Sequence, residues 1–263
     1  VVLIDADLGG ANLHTCLGIS PPKVTLGDFM TRRVEKMEEV IVDTGIPNLG
    51  LISGAQEILW AANPKHAQKM RLLKTIRTLL NADYILMDLG SGTSYNILDF
   101  FLISDHGLLV VIPEPTSIEN AYRFLKFSFL RKLQNLAAHH HMKELIDSAL
   151  DQKSSRGIRT PFDLFDEIGK IDGKAGELLQ KDIEGFRPKL ILNQIRSETD
   201  IRIGFAIRSA CTKYLGIQIE YLGYIYYDDF VWQSIRKKRP LVLDYPQCIA
   251  AQGIRSAAEK LLR

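Results

Sequence analysis

Four short runs of apolar residues, Val1 to Ile4, Tyr84 to Met87, Leu108 to Ile112 and Leu190 to Leu192, constrain this chain more than any other feature. A strand with one face in water alternates apolar and polar residues. Unbroken runs instead suit strands covered on both faces, as in a parallel sheet flanked by helices. The four runs are therefore expected to be parallel neighbours in one sheet, with Leu49 to Ile52 a weaker candidate for the same sheet. Each run stops at a polar residue: Asp5, Asp88, Glu114 and Asn193. In an open parallel sheet such residues collect beyond the carboxyl ends of the strands, where ligands bind.

Helical patterns separate the runs. Pro64 to Leu80 places Ala67, Met70, Leu73, Ile76 and Leu80 at helical steps. After Pro115, Thr116 and Glu119 have the spacing of a capping box, and Ile118, Ala121, Tyr122 and Leu125 continue a helix expected to reach about Ala137. From about 139 to 187 the pattern loosens into short amphipathic pieces around a polar stretch at 151–157, which reads as a largely helical insertion. Regular alternation then resumes, with a helix near Asp200 to Leu215, a strand near Ile219 to Ile225 and a last helix from about Gln247. The expected fold is a three-layer α-β-α domain with a mostly parallel sheet, spanning 1–263 as one domain.

Composition narrows the function. The 263 residues are 46% hydrophobic and carry 33 Lys and Arg against 31 Asp and Glu, a net charge of +2, so the chain as a whole gives no strong nucleic-acid or anionic-membrane signal. Three cysteines, Cys16, Cys211 and Cys248, show no CxxC spacing, which argues against a disulfide framework or a zinc site and fits a reducing cytoplasm. No apolar run approaches transmembrane length. His139-His140-His141 lacks spaced partners and reads as a solvated helix end. Arg236-Lys237-Lys238-Arg239 before Pro240 complements a helix dipole, with contact to nucleic acid or membrane as the other reading. The final helix lacks the basic, aromatic face of a membrane-surface helix.

The strand-end residues carry the chemistry. Asp5, Asp7, Asp88 and Glu114 at one sheet edge would repel one another, which suggests a divalent cation such as Mg²⁺. In Asp88-Leu89-Gly90-Ser91-Gly92-Thr93 the glycines let backbone N–H groups approach an anion, and an apolar strand ending in Asp is a Walker-B-like magnesium site. Either feature alone also fits an ordinary turn.

Together they resemble a known family. Asp5-Ala6-Asp7-Leu8-Gly9-Gly10-Ala11-Asn12 resembles the DxDxGxxN switch of the MinD/ParA group of deviant-Walker ATPases, and Tyr84 to Gly92 resembles that group's second switch. Pro113 to Tyr122 is similar to its PEPTSIxDAY segment, while Asn193 and Gly223 to Asp228 are similar to its base-binding positions and GxIPxD loop, with Tyr226 in place of the usual proline. The PEPTSI form points to the MinD-like branch, especially the flagellar-number regulator FlhG. The family's KGGxGK[ST] phosphate loop does not occur in these residues. The resemblance thus implies a P-loop NTPase-like fold of the SIMIBI class lacking its first βα unit, with ATPase activity expected of the parent protein.

The resemblance implies a catalytic role for Asp7, which would orient the attacking water, and metal ligation by Asp88 and Asp5. Gly92 would contact the γ-phosphate, and Asn193 and Asp228 would serve the nucleotide base; Asn12 would close the switch loop onto backbone. For Asp5 the other reading is a turn cap, and for Asn193 a turn residue. Implied cofactors are ATP and Mg²⁺. The implied behaviour is an ATP-dependent homodimer that engages a regulatory protein partner in the spatial regulation of a bacterial cell, cytoplasmic and in the parent peripheral at the inner membrane. The competing readings are a catalytically inactive interaction protein using the 139–187 insertion, and a phosphatase or transferase built on the DxD pair.

Overall fold

The computed structural model describes residues 1–8, 10–54, 66–78, 82–139 and 167–262. They form two compact units. One comprises Val1–Ile103 with Asp229–Gln247, the other Ser104–Asp228 with Cys248–Arg263.

The first unit opens with β1 (Val2–Asp5), followed by the short helices α1 (Leu13–Cys16) and α2 (Leu26–Met30). The strands β2 (Val42–Asp43) and β3 (Gly50–Ile52) precede α3 (His66–Arg77), β4 (Ile85–Asp88) and α4 (Tyr95–Ile103). The strand order is β2-β3-β1-β4, with β1 parallel to both neighbours and only β2 antiparallel. Val2 and Ile4 pack into a core with Leu26, Phe29, Leu72 and Phe100 from α2, α3 and α4. On the other face Leu3 is half-buried, and Leu86, its partner on β4, is exposed. Between α3 and α4, Lys69 donates to Asp99 at 2.5 Å with both side chains buried.

The second unit contains β5 (Leu108–Val111), the long helix α5 (Pro115–His139), α6 (Gly173–Glu184), β6 (Lys189–Ile195), α7 (Glu198–Leu215) and β7 (Glu220–Tyr226). These strands form a parallel sheet in the order β5-β6-β7. Alternate residues of β6 feed opposite layers. Leu190 and Leu192 meet Leu125, Phe129 and Cys211 from α5 and α7. Ile191 meets Ala257 of α10, which is described below. That is a three-layer arrangement, as unbroken apolar strands require.

Three short helices follow: α8 (Asp229–Lys237) and α9 (Leu241–Asp244) belong to the first unit, and α10 (Ile249–Leu261) to the second. The apolar runs are strands as expected. The expectation of four neighbours in one sheet is corrected, because β1 pairs with β4 and β5 with β6 in two separate sheets. The capping box at Thr116 is also corrected. Helix α5 already begins at Pro115, Glu119 pairs with Arg123, and Ser117 accepts the Ile112 N–H instead. A true capping box, Ser197 with Asp200, starts α7. Residues 140–166, most of the expected insertion together with His140 and His141, lie outside the described residues.

Candidate functional site

The parallel register of β1 and β4 sets Asp5 opposite Asp88, and the Ala6 N–H donates to the Asp88 carbonyl at 2.8 Å. The two carboxylates thus end neighbouring strands on the same edge. Asp5 is only 1% exposed. Its Oδ2 accepts the Leu13 N–H at 2.9 Å, tying the start of α1 to the end of β1. Its Oδ1 is buried and accepts nothing. An unsatisfied buried polar atom costs about 1–3 kcal/mol, more when charged, so the group calls for a partner. Ser53 is the first residue beyond Ile52, which pairs with Ile4, and its hydroxyl is likewise buried without a partner. Two orphaned polar groups therefore follow the ends of adjacent strands.

Asp7 is held by close backbone approaches. A Cβ on Gly90 would lie 2.9 Å from the Asp7 Cγ, and one on Gly10 would lie 3.0 Å from its Oδ2. Only glycine leaves room at position 90, since the contact there involves a carboxyl group already fixed between two loops. Gly54 performs the same service behind the switch loop, where a Cβ would meet the Ala11 Cβ and the Asp5 carbonyl oxygen, both at 2.8 Å.

Charge accumulates where these groups converge. Burial, followed by the carboxylates of Asp5 and Asp7, pushes the Asp88 carboxyl above its ordinary value of 3.8. Neutralising it with a cation would reverse that direction. Among the described residues no group of three or more His, Cys, Asp or Glu side chains is arranged to hold a metal. Mg²⁺ does not need one, because it is commonly held by one or two carboxylates with water and phosphate oxygens completing its shell. The spare oxygen of Asp5 and the crowded carboxylate of Asp88 fit that demand. Beyond them Gly92 has φ +102° with open space around its Cα, a backbone suited to presenting an N–H to an anion.

The remaining sequence-predicted residues belong to the second unit. Asn193 lies in an irregular stretch of β6; its Oδ1 accepts the N–H of Gln194, which has φ +56°. What Asn193 can offer a ligand is then its amide NH₂. Asp228 accepts the Ala250 N–H at 3.2 Å and interacts with the Cys248 thiol, so it caps the start of α10. Asn12 stands at the head of α1, but its side chain makes no capping bond, and its carbonyl oxygen accepts from Thr15 and Cys16. Sequence reasoning missed Gly54 and Ser53; the available signal was a small polar-glycine pair ending a strand beside the DxD segment. Among the described residues no helix is long and apolar enough to cross a membrane.

No family model matches the chain. Individual relatives do. The antiactivator FleN of Pseudomonas aeruginosa is 25% identical over 263 residues, covering 99% of this chain and 75% of that protein. The flagellum site-determining protein YlxH of Helicobacter pylori is 31% identical over 134 residues, covering 50% of this chain and 44% of its own length. The septum site-determining protein MinD of Pyrococcus horikoshii, solved with Mg-ADP, superposes with a TM-score of 0.63 at 21% identity over 99% of this chain and 82% of that one. That last likeness shows that the chain shares the α/β fold of MinD. The DxD switch, the Asp88 strand end and these likenesses together make the chain similar to proteins of the MinD/ParA group, with its flagellar relatives FleN and YlxH among them.

Proposed function

We propose that the full-length protein is an ATPase whose Mg²⁺-nucleotide site includes the β1 and β4 strand ends. The observation that carries this reading is the buried Asp5 carboxylate, one oxygen committed to the Leu13 N–H and the other unsatisfied, directly beside Asp88. Asp5 and Asp88 would hold the ion, which when bound neutralises phosphate charge. Asp7, fixed between Gly10 and Gly90, orients the attacking water and accepts its hydrogen bond. Gly92 offers its N–H to the terminal phosphate. In the second unit Asn193 keeps its amide NH₂ for a ligand, whereas Asp228 acts in this reading by holding the start of α10.

At the level of the cell we propose an ATP-dependent homodimer that switches a regulatory protein partner, acting in the placement or number of a cell-surface structure, with the flagellum first among candidates. The names of FleN, an antiactivator, and YlxH, a flagellum site-determining protein, support this.

The test is single-turnover hydrolysis by the full-length protein and its Asp7→Ala variant. Turnover should fall by about a hundredfold while ATP affinity stays within about threefold, because water positioning is lost and the phosphate contacts are not. Equal turnover would remove Asp7 from the chemistry and leave an interaction protein on the same fold.

A further inference from the structure

Among the described residues of the first unit, two buried side-chain oxygens stand without a hydrogen-bond partner, and they end neighbouring strands: Oδ1 of Asp5 and Oγ of Ser53. The register explains why they meet. Ile4 pairs with Ile52, and both side chains enter the same core. Side chains alternate along a strand, so Asp5 and Ser53, each one residue further on, turn together to the opposite face. Asp88 joins them there, because it pairs with Asp5 and follows Met87, which packs against the core that holds Ile4. Ser53, Asp5 and Asp88 thus form a row across the carboxyl ends of β3, β1 and β4.

Both strand ends are pinned. The Ser53 carbonyl accepts the Leu26 N–H at 2.8 Å, where α2 begins. Gly54 lies so close to β1 that a Cβ there would stand 2.8 Å from the Asp5 carbonyl oxygen. On the other strand, Asp5 Oδ2 is tied to the Leu13 N–H. Neighbouring strands lie about 4.8 Å apart, a separation that one water bridges between a hydroxyl and a carboxylate. An ionised carboxylate only accepts, whereas a serine hydroxyl also donates, so the direction of such a bridge is from Ser53 to Asp5.

We propose that Ser53 is a positioning residue of the strand-end site: its hydroxyl donates to a water enclosed between β3 and β1, and that water donates to Oδ1 of Asp5. The inference rests on the magnesium reading of Asp5 and Asp88 given above. A carboxylate oxygen offers two acceptor positions, so the water takes one on Oδ1 and leaves the other for the ion. With Oδ2 held by Leu13 and Oδ1 by Ser53, the carboxylate is fixed in rotation before a cation arrives. Ligating carboxylates are commonly held in this way by a hydrogen bond from behind, and losing such a bond weakens metal affinity by about 10–100-fold. Ser53 touches neither ion nor nucleotide in this arrangement and acts through Asp5.

Two measurements on the full-length protein test it. Denaturant unfolding without metal or nucleotide asks whether the hydroxyl is bonded. Ser53→Ala should raise the unfolding constant about fivefold, the effect of a lost hydrogen bond, whereas deleting an idle buried hydroxyl leaves a protein as stable or more so. Calorimetric titration with ATP at graded Mg²⁺ asks whether the bond serves the ion. Ser53→Ala should raise the Mg²⁺ concentration for half-maximal ATP binding at least about tenfold, with ATP affinity at saturating Mg²⁺ within about twofold of the parent. Ser53→Cys fills similar space but donates weakly, so it should behave as the alanine variant does. Three results would overturn this inference alone: an unfolding constant that Ser53→Ala leaves unchanged or lowers, a cysteine variant with the parent's Mg²⁺ dependence, or an alanine variant that keeps the dependence Asp5→Asn abolishes. A Mg²⁺ dependence that is absent from the parent, or that survives Asp5→Asn, would overturn the magnesium reading and this inference with it.

Discussion

Two buried carboxylates in the first unit have opposite fates. At the interface of α3 and α4, Asp99 is 6% exposed and meets the Lys69 ammonium at 2.5 Å. At the end of β1, Asp5 is buried more deeply, yet one of its oxygens has no partner. The first pair is a buried ion pair that ties two helices together. The second is incomplete in a place that also gathers Asp7 and Asp88. Burial alone therefore does not mark a functional carboxylate; burial without compensation is what makes Asp5 the candidate.

The largest expected effect breaks the compensated member. Asp99→Ala leaves Lys69 buried and unpaired, which should destabilise the chain by about 3–5 kcal/mol in denaturant unfolding. Replacing both residues by apolar ones of similar volume, Lys69→Met with Asp99→Leu, should restore most of that stability. If the double replacement is as unstable as the single one, Asp99 is more than a charge partner.

A smaller effect contrasts the strand ends of the two units. Asp228→Ala removes the carboxylate that receives the Ala250 N–H, and should cost about 1 kcal/mol, typical of a lost helix cap. ATP turnover of the folded full-length variant should change little. A loss of nucleotide affinity with unchanged stability would instead make Asp228 a ligand contact.

Much of this contrast was legible beforehand, and the reasons are local. Unbroken apolar runs gave β1, β4, β5 and β6, and the Asp at the end of each of the first two followed directly. Sheet order did not follow, because a run of Val, Leu and Ile says that a strand is buried but not which strand lies beside it. Helix α4 escaped notice since seven of its nine residues, in Tyr95-Asn96-Ile97-Leu98-Asp99-Phe100-Phe101-Leu102-Ile103, are apolar or aromatic and leave little periodicity to detect. Strand β2 has two residues, too few for any pattern. Asp7 could be picked out by its motif, but its confinement by Gly90 is a contact across more than eighty residues of chain and appears only in three dimensions.

The smallest expected effect is on pH. Because the folded chain raises the Asp88 pKa above 3.8, ionising Asp88 is harder when folded than when unfolded. Its contribution to stability is present below that ordinary value and is lost as pH rises through the raised one. Asp88→Asn removes this loss, so between about pH 3 and pH 7 its melting temperature should gain on the parent by about 1–2 °C, a small shift because Asp88 is exposed enough to be screened. A variant that loses ground over the same range would mean that the ionised carboxylate is stabilised after all.

In the proposed function the uncompensated oxygen of Asp5 belongs to a magnesium site. Calorimetric titration of the full-length protein with ATP, with and without Mg²⁺, tests it most directly when repeated on Asp5→Asn, which keeps an acceptor for the Leu13 N–H but removes the charge. The parent should bind ATP at least about tenfold more tightly with Mg²⁺ present, and the variant should lose most of that difference. An Asp5→Asn protein that keeps the full magnesium dependence would contradict the account and return Asp5 to the role of a tether for α1.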